Sequence, residues 1–242
     1  MILEVCIDSV ESAIAAERGG ARRVELCADL DHGGTTPSAG MIRAVREKVS
    51  INVHVMIRPR AGGFCYSDSE FETMKNDILE TRKLGVDGVV FGILTNEGNV
   101  DVVRTRMLLE MARPLSVTFH RAFDENPDLF ASLAELTHLG VDRVLTSGGQ
   151  PDVQAGLQTL AKLVQSAGSS IKVLAGGGIT MENVQEVVRR TGVNEVHALS
   201  SVSSPLTVHT LHPKFFHSPQ RVVEESKVRR MVELLENLPA PG

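Results

Sequence analysis

Two cysteines, Cys6 and Cys27, each sit at the end of a short β-branched run, Ile2 to Ile7 and Arg23 to Cys27. If those runs are neighbouring strands they lie about 4.8 Å apart, which brings the two thiols close together. Thiolates at that separation suit a soft cation such as Cu(I), with Met56 or His54 on the next run as further donors. The same positions suit small buried hydrophobes, because a free cysteine packs as one. The chain has no CxxC, no HExxH and only 3 cysteines, the third being Cys65 in a Gly-Gly-Phe-Cys-Tyr stretch without an evident partner. So few and so scattered, they make no disulfide framework.

A second set of residues points to different chemistry. Glu4, Cys6 and Asp8 alternate along the first run, Arg23, Glu25 and Cys27 along the second, and Asn52, His54, Met56 and Arg58 along the third. Period two places each set on one face of its strand. Buried polar groups cost free energy unless they are paired or used. Glu25 or His120 could therefore transfer a proton, and Arg58 and Arg121 could orient an anion. Alternatively, Glu4, Glu25, Arg23 and Arg58 form a buried ion-pair layer that only sets register.

Gly176, Gly177 and Gly178 stand before a helical pattern that starts at about Met181, where free backbone N–H groups can hold an anion. Ser147-Gly148-Gly149 and Gly33 to Ser38 offer similar donors, although Pro37 with Thr36 or Ser38 also reads as helix initiation. His209, His212 and His217 have no metal-ligand spacing and read as a solvated loop.

The elements that must position these groups alternate from end to end. Eight β-branched runs are each followed by a helical pattern, the last helix spanning Gln220 to Leu238. Four helices stop at a glycine before the next strand, at Gly19-Gly20, Gly85, Gly140 and Gly192, the signature of one repeated helix-to-strand turn. A strand–helix unit about every 30 residues implies parallel strands with crossover helices. The expected architecture is a single α/β domain, a closed (β/α)8 TIM barrel over residues 1–242, with an open doubly wound sheet as the other arrangement of eight units. Ser200 to Pro219 breaks the rhythm as an irregular loop.

Composition narrows the function. The 242 residues are 42% apolar and 23% charged with a formal charge of −5, and the two signs are mixed along the chain, which argues against a nucleic-acid binder or a binder of anionic membranes. No apolar run reaches the roughly 18 residues that cross a bilayer, and no cleavable leader is apparent, so a cytoplasmic protein is expected. No organic cofactor is expected either.

Several blocks are similar to the copper homeostasis protein CutC family: Leu3 to Ala13, Arg23 to Cys27, Gly33 to Ser38, Val55 to Arg60, Phe64 to Asp68 and Gly88 to Gly92. Val117 to Asp124, Val144 to Gly149 and Gly176 to Ile179 continue the match in order, so the resemblance spans roughly residues 2 to 199. It implies a cytoplasmic (β/α)8 barrel, often a homo-oligomer, with Cu(I) held by Cys6 and Cys27. Two functions follow from the residues. One is a Cu(I)-binding protein. The other is a barrel enzyme that acts on a small phosphorylated or carboxylate metabolite, with Gly176 to Gly178 and Ser147 as its anion site and Glu25, His120, Arg58 and Arg121 as its catalytic set.

Overall fold

A computed structural model describes residues 1–205 and 221–238. Eight parallel strands close on themselves: β1 (Ile2–Ile7), β2 (Arg23–Leu26), β3 (Asn52–Met56), β4 (Gly88–Phe91), β5 (Ser116–Phe119), β6 (Arg143–Thr146), β7 (Lys172–Ala175) and β8 (Glu195–Ala198). Because β8 pairs with β1, with Glu4 beside His197, the sheet is a barrel and the doubly wound alternative is excluded. Eight helices form the outer ring: α1 (Val10–Arg18), α2 (Ala39–Arg46), α3 (Asp68–Lys83), α4 (Val102–Ala112), α5 (Leu129–Leu139), α6 (Leu157–Ala167), α7 (Val184–Thr191) and α8 (Glu225–Glu236).

The chain starts and stops its helices by local chemistry. The Ser9, Ser38 and Ser67 side chains accept the N–H of Ser12, Met41 and Glu70, and Glu70 reaches back to the Ser67 N–H to complete a capping box. At the four repeated turns Gly20, Gly85, Gly140 and Gly192 have φ between 70° and 95°, which a side chain would oppose. Two boundaries differ from the sequence pattern. Glycines 176 to 178 do not open directly into a helix at Met181: Thr180 and Asn183 hydrogen-bond each other in an intervening turn, and α7 starts at Val184. The last helix starts at Glu225, because Arg221–Val223 (β10) pairs antiparallel with Ser203–Pro205 (β9) instead. Most of the predicted loop, with His209, His212 and His217, lies outside the described residues.

The large apolar core lies between the barrel and its helices, where the outward faces of the strands, such as Val24, Val53, Val89, Val117 and Val144, meet helix residues such as Ala16, Ile42, Ile78, Leu108 and Leu136. The barrel interior differs from the usual filling of branched apolar side chains. Its apolar part includes a small cluster of Cys6, Cys27, Met56 and Val90. Much of the rest is polar: Glu4, Arg23, Glu25, His54, Thr118, Arg143 and Glu195 are all buried. Among the described residues no helix is long and apolar enough to cross a membrane.

Gly88 on β4 makes room for this interior. A Cβ there would lie 2.6 Å from the His54 ring. Gly88→Ala is therefore expected to destabilise the fold by about 1–3 kcal/mol through overpacking, read as a lower denaturation midpoint.

Candidate functional site

The floor of the site is a buried layer of alternating charge. Arg23 on β2 donates through Nε to Glu4 on β1 and through Nη2 to Glu195 on β8. Arg143 on β6 reaches the same Glu195 carboxylate at 3.0 Å and the Ser116 hydroxyl at 2.9 Å. The ion-pair layer expected from the sequence thus exists, with different members. Glu4 and Arg23 belong to it, Glu195 and Arg143 complete it, and Glu25 and Arg58 lie higher, lining a cavity at the C-terminal mouth of the barrel. The change follows from register, because parallel pairing sets Glu25 beside Cys6 and His54, two residues further along β2 than Arg23, where its carboxylate lies within 4.8 Å of Glu4 and His197 rather than against a guanidinium.

Above the floor sits a compact cluster of donors. His197 Nδ1 is 2.7 Å from Glu4 Oε1, and its Nε2 is 3.9 Å from Glu25 Oε2. Cys27 Sγ lies 3.6 Å from Glu25 Oε2, and the Cys6 and Cys27 sulfurs are 3.9 Å apart. One ligand atom from each of Cys6, Glu25 and Cys27 falls within 4.8 Å of the others. Burial opposes charge on Glu4, but Arg23 and then His197 outweigh it and hold the carboxyl well below the ordinary range. The hydrogen bond with Cys27 leads in bringing the Cys6 thiol down to about 6, against burial and with help from His197. That same bond, followed by burial, pushes the Cys27 thiol up. Burial, followed by the neighbouring Cys6, raises Glu25, and its Oε1 is buried without a partner. Burial works against the His197 imidazolium, but Glu25, Cys6 and Glu4 together raise it well above the usual histidine value.

The arginines are held differently from one another. Arg58 donates to the backbone carbonyls of His32, Gly34 and Gly62 at 2.7 to 3.0 Å and so ties down the loops after β2 and β3. Its Nε is buried without a partner, and its guanidinium lies over the Phe64 ring at 5.1 Å. Arg121 donates to Asp124 at 2.8 Å and to the Ser147 hydroxyl at 2.8 Å. His120 packs against Phe64, its Nδ1 accepts the Ala122 N–H at 3.1 Å, and its Nε2 has no partner. A Cβ on Gly92 would meet the His120 ring at 2.6 Å, so glycine there lets the imidazole lie flat on the backbone.

The glycine loops divide on their hydrogen bonds. The N–H of Gly176 is spent on Thr146, and those of Gly33, Gly34 and Thr35 close their own turn. The Ser147 and Gly149 N–H groups go to Asp124. Gly177 and Gly178 line the cavity and donate to no acceptor among the described residues. Asp124 was legible only as the last residue of a block, Val117 to Asp124, that resembles the CutC family, yet it gathers Arg121, Thr146, Ser147 and Gly149 at the rim. Glu195 and Arg143 were missed, although Glu195 stands two residues before His197 on β8, the same period-two spacing that put Arg23 and Glu25 on one face of β2. Cys65 lies apart from the cluster, its Sγ 3.1 Å from Asn96 Oδ1.

Comparison with known proteins points in one direction. The CutC family model matches residues 1–202. The human copper homeostasis protein cutC homolog is 50% identical over 196 residues, covering 81% of this chain and 72% of its own length. A CutC family protein of Xanthomonas campestris is 43% identical over 98% of this chain and 99% of its own. The crystal structure of a CutC protein from Streptococcus agalactiae superposes with a TM-score of 0.78 at 36% identity, over 81% of this chain and 97% of that one.

The buried histidines set an acid limit on stability. Burial brings His54 down to about 3, and burial followed by Arg58 does the same to His120. An unfolded histidine takes up its proton near pH 6.5 while these do so near 3, so their contribution is whole above 6.5 and is lost as pH falls toward 3. Denaturant titrations should show unfolding free energy falling between pH 6 and 4, with about 1.4 kcal/mol per pH unit of that slope absent in His120→Gln.

Proposed function

The chain belongs to the CutC family, and from that premise we propose that it serves copper homeostasis by binding Cu(I) between the Cys6 and Cys27 thiolates. The observation that carries this reading is the 3.9 Å separation of the two sulfurs, a gap that metal–thiolate bonds of about 2.3 Å can span. The donor set fits a soft ion: two sulfurs, packed with Met56 in the small apolar cluster of the interior, with the Glu25 carboxyl beside them. Copper is cargo in this role, and the thiols must be reduced to take it. The cytoplasm is the compartment that keeps them so.

Loading requires thiolates, so Cys27, whose proton is held tightly, gives it up as the ion binds. Affinity therefore rises with pH. A second reading, proton transfer to or from a bound metabolite, is favoured by the unpartnered Oε1 of Glu25 and Nε2 of His120, both on residues that line the same cavity.

A second copy of the chain is the partner we assign to the outer helical face. Val103 on α4 is 69% exposed, with Met107 on the same helix and Leu79 and Phe130 on the adjoining α3 and α5. Sedimentation should show a homo-oligomer that Val103→Lys/Met107→Lys converts to monomer.

Competition with a Cu(I) chelator should give roughly one Cu(I) per chain. The Cys6→Ser/Cys27→Ser variant should lose at least about a hundredfold in affinity. Unchanged stoichiometry and affinity in that variant would overturn the copper assignment.

A further inference from the structure

A two-thiolate copper site uses only a corner of this cavity. The space at the barrel mouth is about 840 Å³, within the range of small-molecule sites and far larger than an ion needs. Its walls carry hydrogen-bond donors that nothing among the described residues accepts.

Arg58 is the clearest case. It is 5% exposed, and among the described residues no carboxylate lies within salt-bridge distance of it. Three of its hydrogen bonds go to backbone carbonyls, and its Nε–H is buried without an acceptor. A buried cation held only by carbonyl oxygens is costly unless an anion completes it. His120, 4% exposed, presents a second orphan. Its Nδ1 accepts the Ala122 N–H, so the neutral ring carries its proton on Nε2, which has no acceptor. Each such donor costs about 1–3 kcal/mol when left unsatisfied in the interior.

The next residue in the chain, Arg121, joins these to the rest of the wall. Asp124 and Ser147 fix one side of its guanidinium, and its Nη1 is left without an acceptor. A Cβ on Gly177 would lie 3.0 Å from that Nη1, so the bare glycine lets backbone and guanidinium approach closely. Gly177 and Gly178 add two unpaired N–H groups at φ of 96° and 79°. These five donors stand on three separate segments of chain and together form the complement of an oxyanion, while the other unpaired side-chain atoms of the lining, Glu25 Oε1 and Ser201 Oγ, belong to the thiol cluster and to the loop after β8.

We propose that the cavity binds a small organic oxyanion, a phosphate monoester or a carboxylate, with Arg121 and the Gly177 and Gly178 N–H groups on its charged end and Arg58 and His120 completing the hydrogen bonds. This site is independent of the thiol pair. Copper and the oxyanion share one cavity through different residues.

The test is titration of ¹⁵N-labelled protein with inorganic phosphate, glycerol 3-phosphate and succinate, with glycerol as the neutral control. Saturable amide shifts at Gly177 and Gly178 are expected with an anion and absent with glycerol. The affinity should fall roughly tenfold or more in Arg121→Gln and in His120→Gln. Preference for glycerol 3-phosphate or for succinate identifies which oxyanion the site takes. Inorganic phosphate bound as tightly as either organic anion would overturn the organic ligand. No saturable shift up to about 10 mM, or affinity unmoved by both substitutions, would overturn the site itself. Cys6→Ser/Cys27→Ser should still bind the anion and Arg121→Gln should still bind Cu(I), so failure of one site leaves the other standing. Wild-type spectra decide the outcome even if a variant does not fold.

Discussion

Glu195 accepts from both Arg23 and Arg143, and Arg23 donates in turn to Glu4, so one alternating chain of charge crosses the floor of the barrel from β1 to β6. Everything above depends on this layer. Ions taken out of water need good geometry and a full set of hydrogen bonds to break even, and the closed barrel supplies both by fixing four strands around them. A barrel filled with valine and leucine would be simpler to stabilise but would end in an apolar plug. Here the polar floor continues upward through His197 to Glu25 and the two thiols.

That continuity sets the electrostatics of the mouth. Glu4 is anionic because Arg23 lies against it, and it joins Glu25 and Cys6 in supporting a cationic His197. The charged imidazole in turn favours thiolate at Cys6. After the hydrogen bond with Cys27, which leads, this relay from the floor adds to the activation of the sulfur. Arg58 and Arg121 bring positive charge to the cavity wall, and the fold holds them by loop carbonyls and by Asp124.

The stability of the scaffold is largely decided elsewhere, in the apolar layer between strands and helices. This separation frees the interior for chemistry. It also explains why glycines sit beside buried rings: Gly88 and Gly92 make space for His54 and His120, whose imidazoles occupy volume that a packed barrel would fill with aliphatic side chains.

Much of this was legible in the sequence. Alternation along the first three strands put Glu4 with Cys6, Arg23 with Glu25 and Cys27, and His54 with Met56 on one face of their strands, because a strand's side chains repeat every two residues whatever the fold around them. Glycine at the recurring turns marked the strand–helix units, because only glycine accepts that backbone at little cost. Partnership was not legible. Arg23 meets Glu195, 172 positions away, only because β8 closes against β1, and no local pattern encodes that closure. The glycine loops looked alike in sequence, yet Asp124 takes the Ser147 and Gly149 donors and Thr146 the one from Gly176, which leaves Gly177 and Gly178 free. Sequence determined which face each side chain occupies, since that is a property of the strand. Tertiary structure decided which groups are spent on one another and which remain for a ligand, since hydrogen bonds and charge pairs depend on distances that only closure of the barrel sets.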